Sequence, residues 1–189
     1  MNMKKIISFF IVACCAMCAT AAKVVWQIGV ADNSGTELAL GPSEYKKFLA
    51  HDFGYEDRYF LVGTSVDKND FPYVLPGPDD TWGGTWSTSG WRTHDANILF
   101  GIKKLPKHGK WKLVVDLVDA NPSRSVVKVM VNSAEKKFEI KGHSKGVLEG
   151  NLQDAKEQIL EFPISADDLK KGGNMVTVSV LEGGWIVFD

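Results

Sequence analysis

The chain has 189 residues, 22 basic against 23 acidic side chains, and a formal net charge of −1. That balance argues against nucleic acid as the main partner, because a phosphate backbone is held by clustered Lys and Arg. The three cysteines, Cys14, Cys15 and Cys18, sit together near the start, so the rest of the chain has no disulfide and must be held by its apolar core.

The first segment reads as an export signal. Lys4 and Lys5 precede an apolar run over 6–18, and Ala19-Thr20-Ala21 places small residues where a signal peptidase reads them. Residues 1–21 are therefore expected to be a signal peptide and 22–189 a single mature domain, secreted or periplasmic. Without Lys4 and Lys5 the formal charge of the mature part becomes −3. The apolar run is short for a membrane span, which needs about 20 residues, and no second such run follows, so no transmembrane segment is expected after signal removal. Ile11-Val12-Ala13-Cys14 weakly resembles a lipobox, which keeps an outer-membrane lipoprotein as the alternative.

Downstream, the periodicity predicts strands. Short apolar or alternating runs occur at 24–29, 58–63, 97–102, 111–118, 126–131, 137–140, 158–164, 175–181 and 185–188. Gly, Pro, Asn and Asp turns separate them, which is the pattern of an all-β sandwich. Two short helices are expected, at 42–49 near Ser43 and at 165–173, where Ser165 caps and Gly172-Gly173 stops. The stretch 142–156 has little strand signal and reads as a flexible excursion. The connection 67–95 is long and rich in Gly, Pro and Trp, and long ordered loops in compact domains are commonly functional.

Several segments together resemble a known family. They are Trp26-Gln27-Ile28-Gly29, Tyr59-Phe60-Leu61-Val62-Gly63-Thr64-Ser65 with Phe71-Pro72, Asn97-Ile98-Leu99-Phe100, Val129-Met130-Val131-Asn132, Gly173-Asn174 before Val176-Thr177-Val178, and Trp185-Ile186-Val187-Phe188-Asp189. Their order and spacing resemble the carbohydrate-binding-module-like third domain of polysaccharide lyase family 4, the rhamnogalacturonan lyases, and the loop with Pro76-Gly77-Pro78 and Trp82-Gly83-Gly84-Thr85-Trp86 resembles a version carried by secreted polysaccharide-degrading proteins of Bacteroidetes. The resemblance implies a jelly-roll β-sandwich of the galactose-binding-like type. It also implies that the lyase's catalytic Lys and His belong to a different, larger β-domain, so no catalytic residue is carried over. The family's domain usually runs a few strand residues beyond the position of Asp189. A fragment, or the first module of a longer reading frame, therefore stays open.

The chemistry-bearing feature is the segment 79–94. A flat indole can stack on the C–H face of a sugar ring, and charged side chains give the stronger hydrogen bonds to its hydroxyls. Trp82, Trp86 and Trp91 are the stacking candidates, and Asp79, Asp80, Arg92 and His94 are the polar edge. The competing reading is that a Trp-rich loop folds over the open end of the sandwich and caps its core. Trp26, Trp111 and Trp185 lie in strand patterns and are assigned to the core. No cofactor is expected. Asp79-Asp80 invites a structural calcium, although no EF-hand spacing is present. His51, His94, His108 and His143 show no zinc or triad spacing, and sequence alone cannot place a glycosidase carboxylate pair. The expected partner is a polysaccharide or oligosaccharide, pectic by the resemblance. The alternative is a structural domain that braces a catalytic lyase domain.

Overall fold

The computed structural model describes residues 24–48, 53, 57–80, 82, 93–105 and 111–189. The expected signal peptide lies outside them. The described chain forms nine strands: β1 (Arg58–Leu61), β2 (Val74–Pro76), β3 (Asp95–Ile102), β4 (Trp111–Ala120), β5 (Arg124–Val131), β6 (Ala134–Lys141), β7 (Gln158–Ile164), β8 (Gly172–Glu182) and β9 (Trp185–Phe188). A five-stranded sheet in the order β1-β3-β8-β5-β6 packs on a four-stranded sheet in the order β2-β9-β4-β7. All pairs are antiparallel except β1 with β3. This is the all-β sandwich that the periodicity and the resemblance led us to expect.

Strand alternation builds the core. Ala96, Ile98, Phe100 and Ile102 of β3 are buried, as are Val127, Val129 and Val131 of β5 and Val176, Val178 and Val180 of β8. From the other sheet, Leu117, Leu160, Phe162, Ile186 and Phe188 join the same cluster. Each such Val, Leu, Ile or Phe contributes about 1.5–3 kcal/mol by leaving water, which lets a domain without disulfides fold on its core. Trp185 is 2% exposed, whereas Trp26 and Trp111 pack against the core only in part. On the opposite face of the β3–β8 pair, buried polar groups satisfy one another. Thr177 donates to Asn97 Oδ1 at 2.7 Å, and Ser179 donates to Asp95.

Two of the crossings between sheets are tight turns, at 121–123 between β4 and β5 and at 183–184 between β8 and β9. Gly183 has φ +92, and a side chain there would run into Ser125 and the Arg124 backbone. Glycine is therefore required on both counts.

The helical elements depart from expectation in extent. The 42–49 stretch gives a 3-10 turn at Tyr45–Lys47. The 165–173 stretch gives one at Ala166–Asp168, closed by a reciprocal capping box between Ser165 and Asp168. A four-residue helix, α1 (Asp67–Asp70), opens the long connection and was not expected. The expected strand at 24–29 is irregular chain, with Val24 and Val25 exposed and Trp26 resting on Phe100 at 5.3 Å between ring centroids. The expected flexible excursion at 142–156 contains a 3-10 helix at Lys145–Glu149 with Val147 and Leu148 buried.

Candidate functional site

The strand registers gather many connections at one end of the sandwich. Pro76 lies opposite Trp185, Ala120 opposite Ile186, Arg124 opposite Lys141, Leu117 opposite Gln158 and Asp95 opposite Ser179. The turns 121–123 and 183–184, the connection 142–157 and both roots of the 77–94 connection therefore meet there.

Backbone hydrogen bonds fix these roots. Gly77 N donates to Gly184 O, Asp79 N to Gly183 O at 3.2 Å, Asn121 N to Trp185 O at 2.9 Å and Gly142 N to Asn121 O at 2.9 Å. Asp119 is fully buried and pins the neighbouring connection. Its Oδ1 accepts from Ala120 N at 2.8 Å and His143 N at 2.9 Å, and its Oδ2 accepts from Ser144 N at 3.1 Å. Ser144 Oγ in turn accepts from Gly146 N and caps the Lys145–Glu149 helix. A buried carboxylate is tolerated because amide donors replace its water.

Aromatic rings line the same end. Trp82 meets Tyr45 edge to face at 5.2 Å and Phe48 at 5.9 Å. Phe48 also packs on Phe53 at 5.6 Å and on His94 at 5.8 Å. Tyr45 and Trp82 keep part of their surface in water, and Asp79 and Lys145 are exposed. Asp80 lies between these groups. Burial pushes its carboxyl up to about 6, and proximity to Asp79 adds to that. A hydrogen bond from the Trp82 side chain and the charge of Lys145 oppose the rise.

Of the residues read from sequence as ligand candidates, Asp79, Asp80, Trp82 and His94 come together at this end. Trp82 packs inward on Tyr45 and Phe48, and His94 is 2% exposed beneath Phe48. Trp82 is thus partly buried and His94 buried, whereas the Asp79 carboxylate is exposed. Trp86, Trp91 and Arg92 lie outside the described residues. Sequence reasoning missed Tyr45, Phe48, Asp119 and Lys145. Two signals were available: Tyr45 and Phe48 stand three apart in the 42–49 stretch, and Asp119 interrupts an apolar strand. Among the described residues, no group of three or more His, Cys, Asp or Glu side chains is placed to hold a metal ion.

The arrangement offers a partly exposed aromatic pair, a half-buried carboxyl whose pKa burial raises, and an ammonium group. Such a set can stack on a ring and bind hydroxyls.

A family model described as "CBM-like: Polysaccharide lyase family 4, domain III" matches residues 24–189. Among curated proteins, none matches the chain. A solved structure described as a family GH115 4-O-methyl-alpha-glucuronidase with specificity for decorated arabinogalactans is similar at a TM-score of 0.33 and 17% identity. That match covers 49% of this chain and 12% of the other, and carries no argument about function.

Proposed function

Because the chain belongs to the CBM-like family of polysaccharide lyase family 4, domain III, we propose that it is a non-catalytic carbohydrate-binding module of a secreted polysaccharide-degrading system, with pectic polysaccharide as its ligand. The family match over 24–189 is the observation that carries this reading. The loop end supports it, since Trp82, Asp79 and Asp80 root a segment that holds two further tryptophans and an arginine. In this reading Trp86 and Trp91 stack on the sugar, Arg92, Asp79 and Asp80 bind its hydroxyls, and Trp82 anchors the loop.

The module works outside the cytoplasm, after removal of residues 1–21. No helix among the described residues is long and apolar enough to cross a membrane. Affinity gel electrophoresis against a panel of pectic and neutral glycans tests the proposal. Retardation on at least one pectic glycan is expected, and free migration on all of them contradicts it.

The inward packing of Trp82 and His94 favours a second reading, in which the domain braces a lyase catalytic domain. The exposed Val114 and Ile159 on the four-stranded sheet would then belong to that contact. Co-purification of the module with a separately expressed lyase domain distinguishes the two.

A further inference from the structure

The outer face of the five-stranded sheet, away from the Trp-bearing end, carries a shallow apolar groove of about 470 Å³. The registers arrange its floor in rows across the strands. Leu61, Leu99 and Met175 form one row over β1, β3 and β8. Gly101 and Gly173 form the next, side by side on β3 and β8. One row in the opposite direction stands Tyr59, on the same face of β1 and 61% exposed.

The glycine pair has no internal explanation. Neither residue has a positive φ, both are exposed, and a Cβ at either position would meet nothing within 4 Å. Glycine weakens a strand, and where neither conformation nor packing demands it, close approach of an external backbone or ligand remains as the reason. The floor is also held rigid. Asn174 Oδ1 accepts from Lys170 N and its Nδ2 donates to Lys170 O and Gly172 O, while Asn132 bridges Asn174 Oδ1 and the Met175 amide.

Charge completes the pattern. Ile102 pairs with Gly172, so the chain leaves the groove on both strands through lysines: Lys103 and Lys104 after β3, Lys170 and Lys171 before β8. All four are exposed. Asp168, the nearest upstream carboxylate, is engaged in the capping box with Ser165. Like charges gathered at the ends of adjacent strands repel, and a bound anion relieves that repulsion.

We infer that this groove is a second glycan-binding face, shaped for a carboxylate-bearing polysaccharide laid over the Gly101–Gly173 floor with its acid groups on Lys103 and Lys171. The inference rests on the reading of the domain as a carbohydrate binder and adds a surface and a ligand charge to it.

The test is affinity electrophoresis of the mature protein on polygalacturonate and on neutral galactan, with added salt as a variable. Wild type should be retarded by polygalacturonate, and salt should weaken the retardation. The Gly101→Val/Gly173→Val variant should keep or raise the thermal midpoint yet lose affinity by at least about tenfold, as loss of a central contact does. Lys103→Ser/Lys171→Ser, on exposed positions, should lose affinity and salt dependence together. A Trp86→Ala/Trp91→Ala variant should retain polygalacturonate binding. Retardation on neutral galactan alone, or undiminished polygalacturonate binding by both groove variants, overturns the groove and leaves the carbohydrate module standing. Free migration of wild type on every glycan overturns both.

Discussion

Trp82 meets Tyr45 edge to face, with ring centroids 5.2 Å apart, and so ties the root of the Trp-rich connection to a 3-10 turn from the start of the domain. The pair joins two segments that share no strand ladder. What holds the loop end together is aromatic packing on Phe48, supported by backbone bonds to the 183–184 turn.

Replacing Trp82 with Ala should therefore destabilise the domain. A fully buried Trp→Ala change costs about 3–5 kcal/mol, and a half-buried ring should cost about 2–3 kcal/mol. Urea denaturation checks this. A midpoint equal to wild type would mean that the ring does not support the fold.

Asp80 should make stability depend on pH. Its folded pKa is raised from 3.8 to about 6, chiefly by burial. Between those values the folded protein holds a proton that the unfolded chain has released, so stability falls as pH rises through the window. Exposure of part of the side chain moderates the effect. Asp80→Asn should flatten the dependence of the denaturation midpoint across that range. An unchanged slope would show that other groups, Asp116 among them, carry it. Burial also raises Asp116, and the nearby Glu157 and Asp189 add to the rise.

Asp119→Ala should release the connection that follows β6. The amides of Ala120, His143 and Ser144 lose their acceptor; the Ala120 donor is buried and the other two are part-buried, so the loss costs about 1–3 kcal/mol. Hydrogen exchange should accelerate at His143 and Ser144 first. Uniform protection in the variant would contradict the assignment.

The strands were legible where their ends carried punctuation. The run at 158–164 closes before a Ser cap, and the run at 185–188 opens after Gly183-Gly184; both match the observed bounds. The run at 24–29 misled because β-branched residues describe a surface that suits a sheet and supply no neighbouring strand to pair with. Three-residue β2 escaped notice because it exists through its pairing with β9. The order of 142–156 comes from Asp119, a residue remote in sequence, and periodicity cannot report such a contact. The same limit applies at the candidate site. Composition marked 79–94 as the place of interest, but only the fold shows that Trp82 and His94 turn toward Phe48 while Asp79 faces water.

As proposed, this sandwich recognises polysaccharide without transforming it. Titration of the mature protein with pectic oligosaccharides by calorimetry, beside a Trp86→Ala/Trp91→Ala variant, measures it most directly. We expect saturable heat of binding for wild type, at least about tenfold weaker in the variant with neutral pectic oligosaccharides, and no change in the recovered sugar. Absence of binding heat with every oligosaccharide, or recovery of cleaved product, would contradict the account.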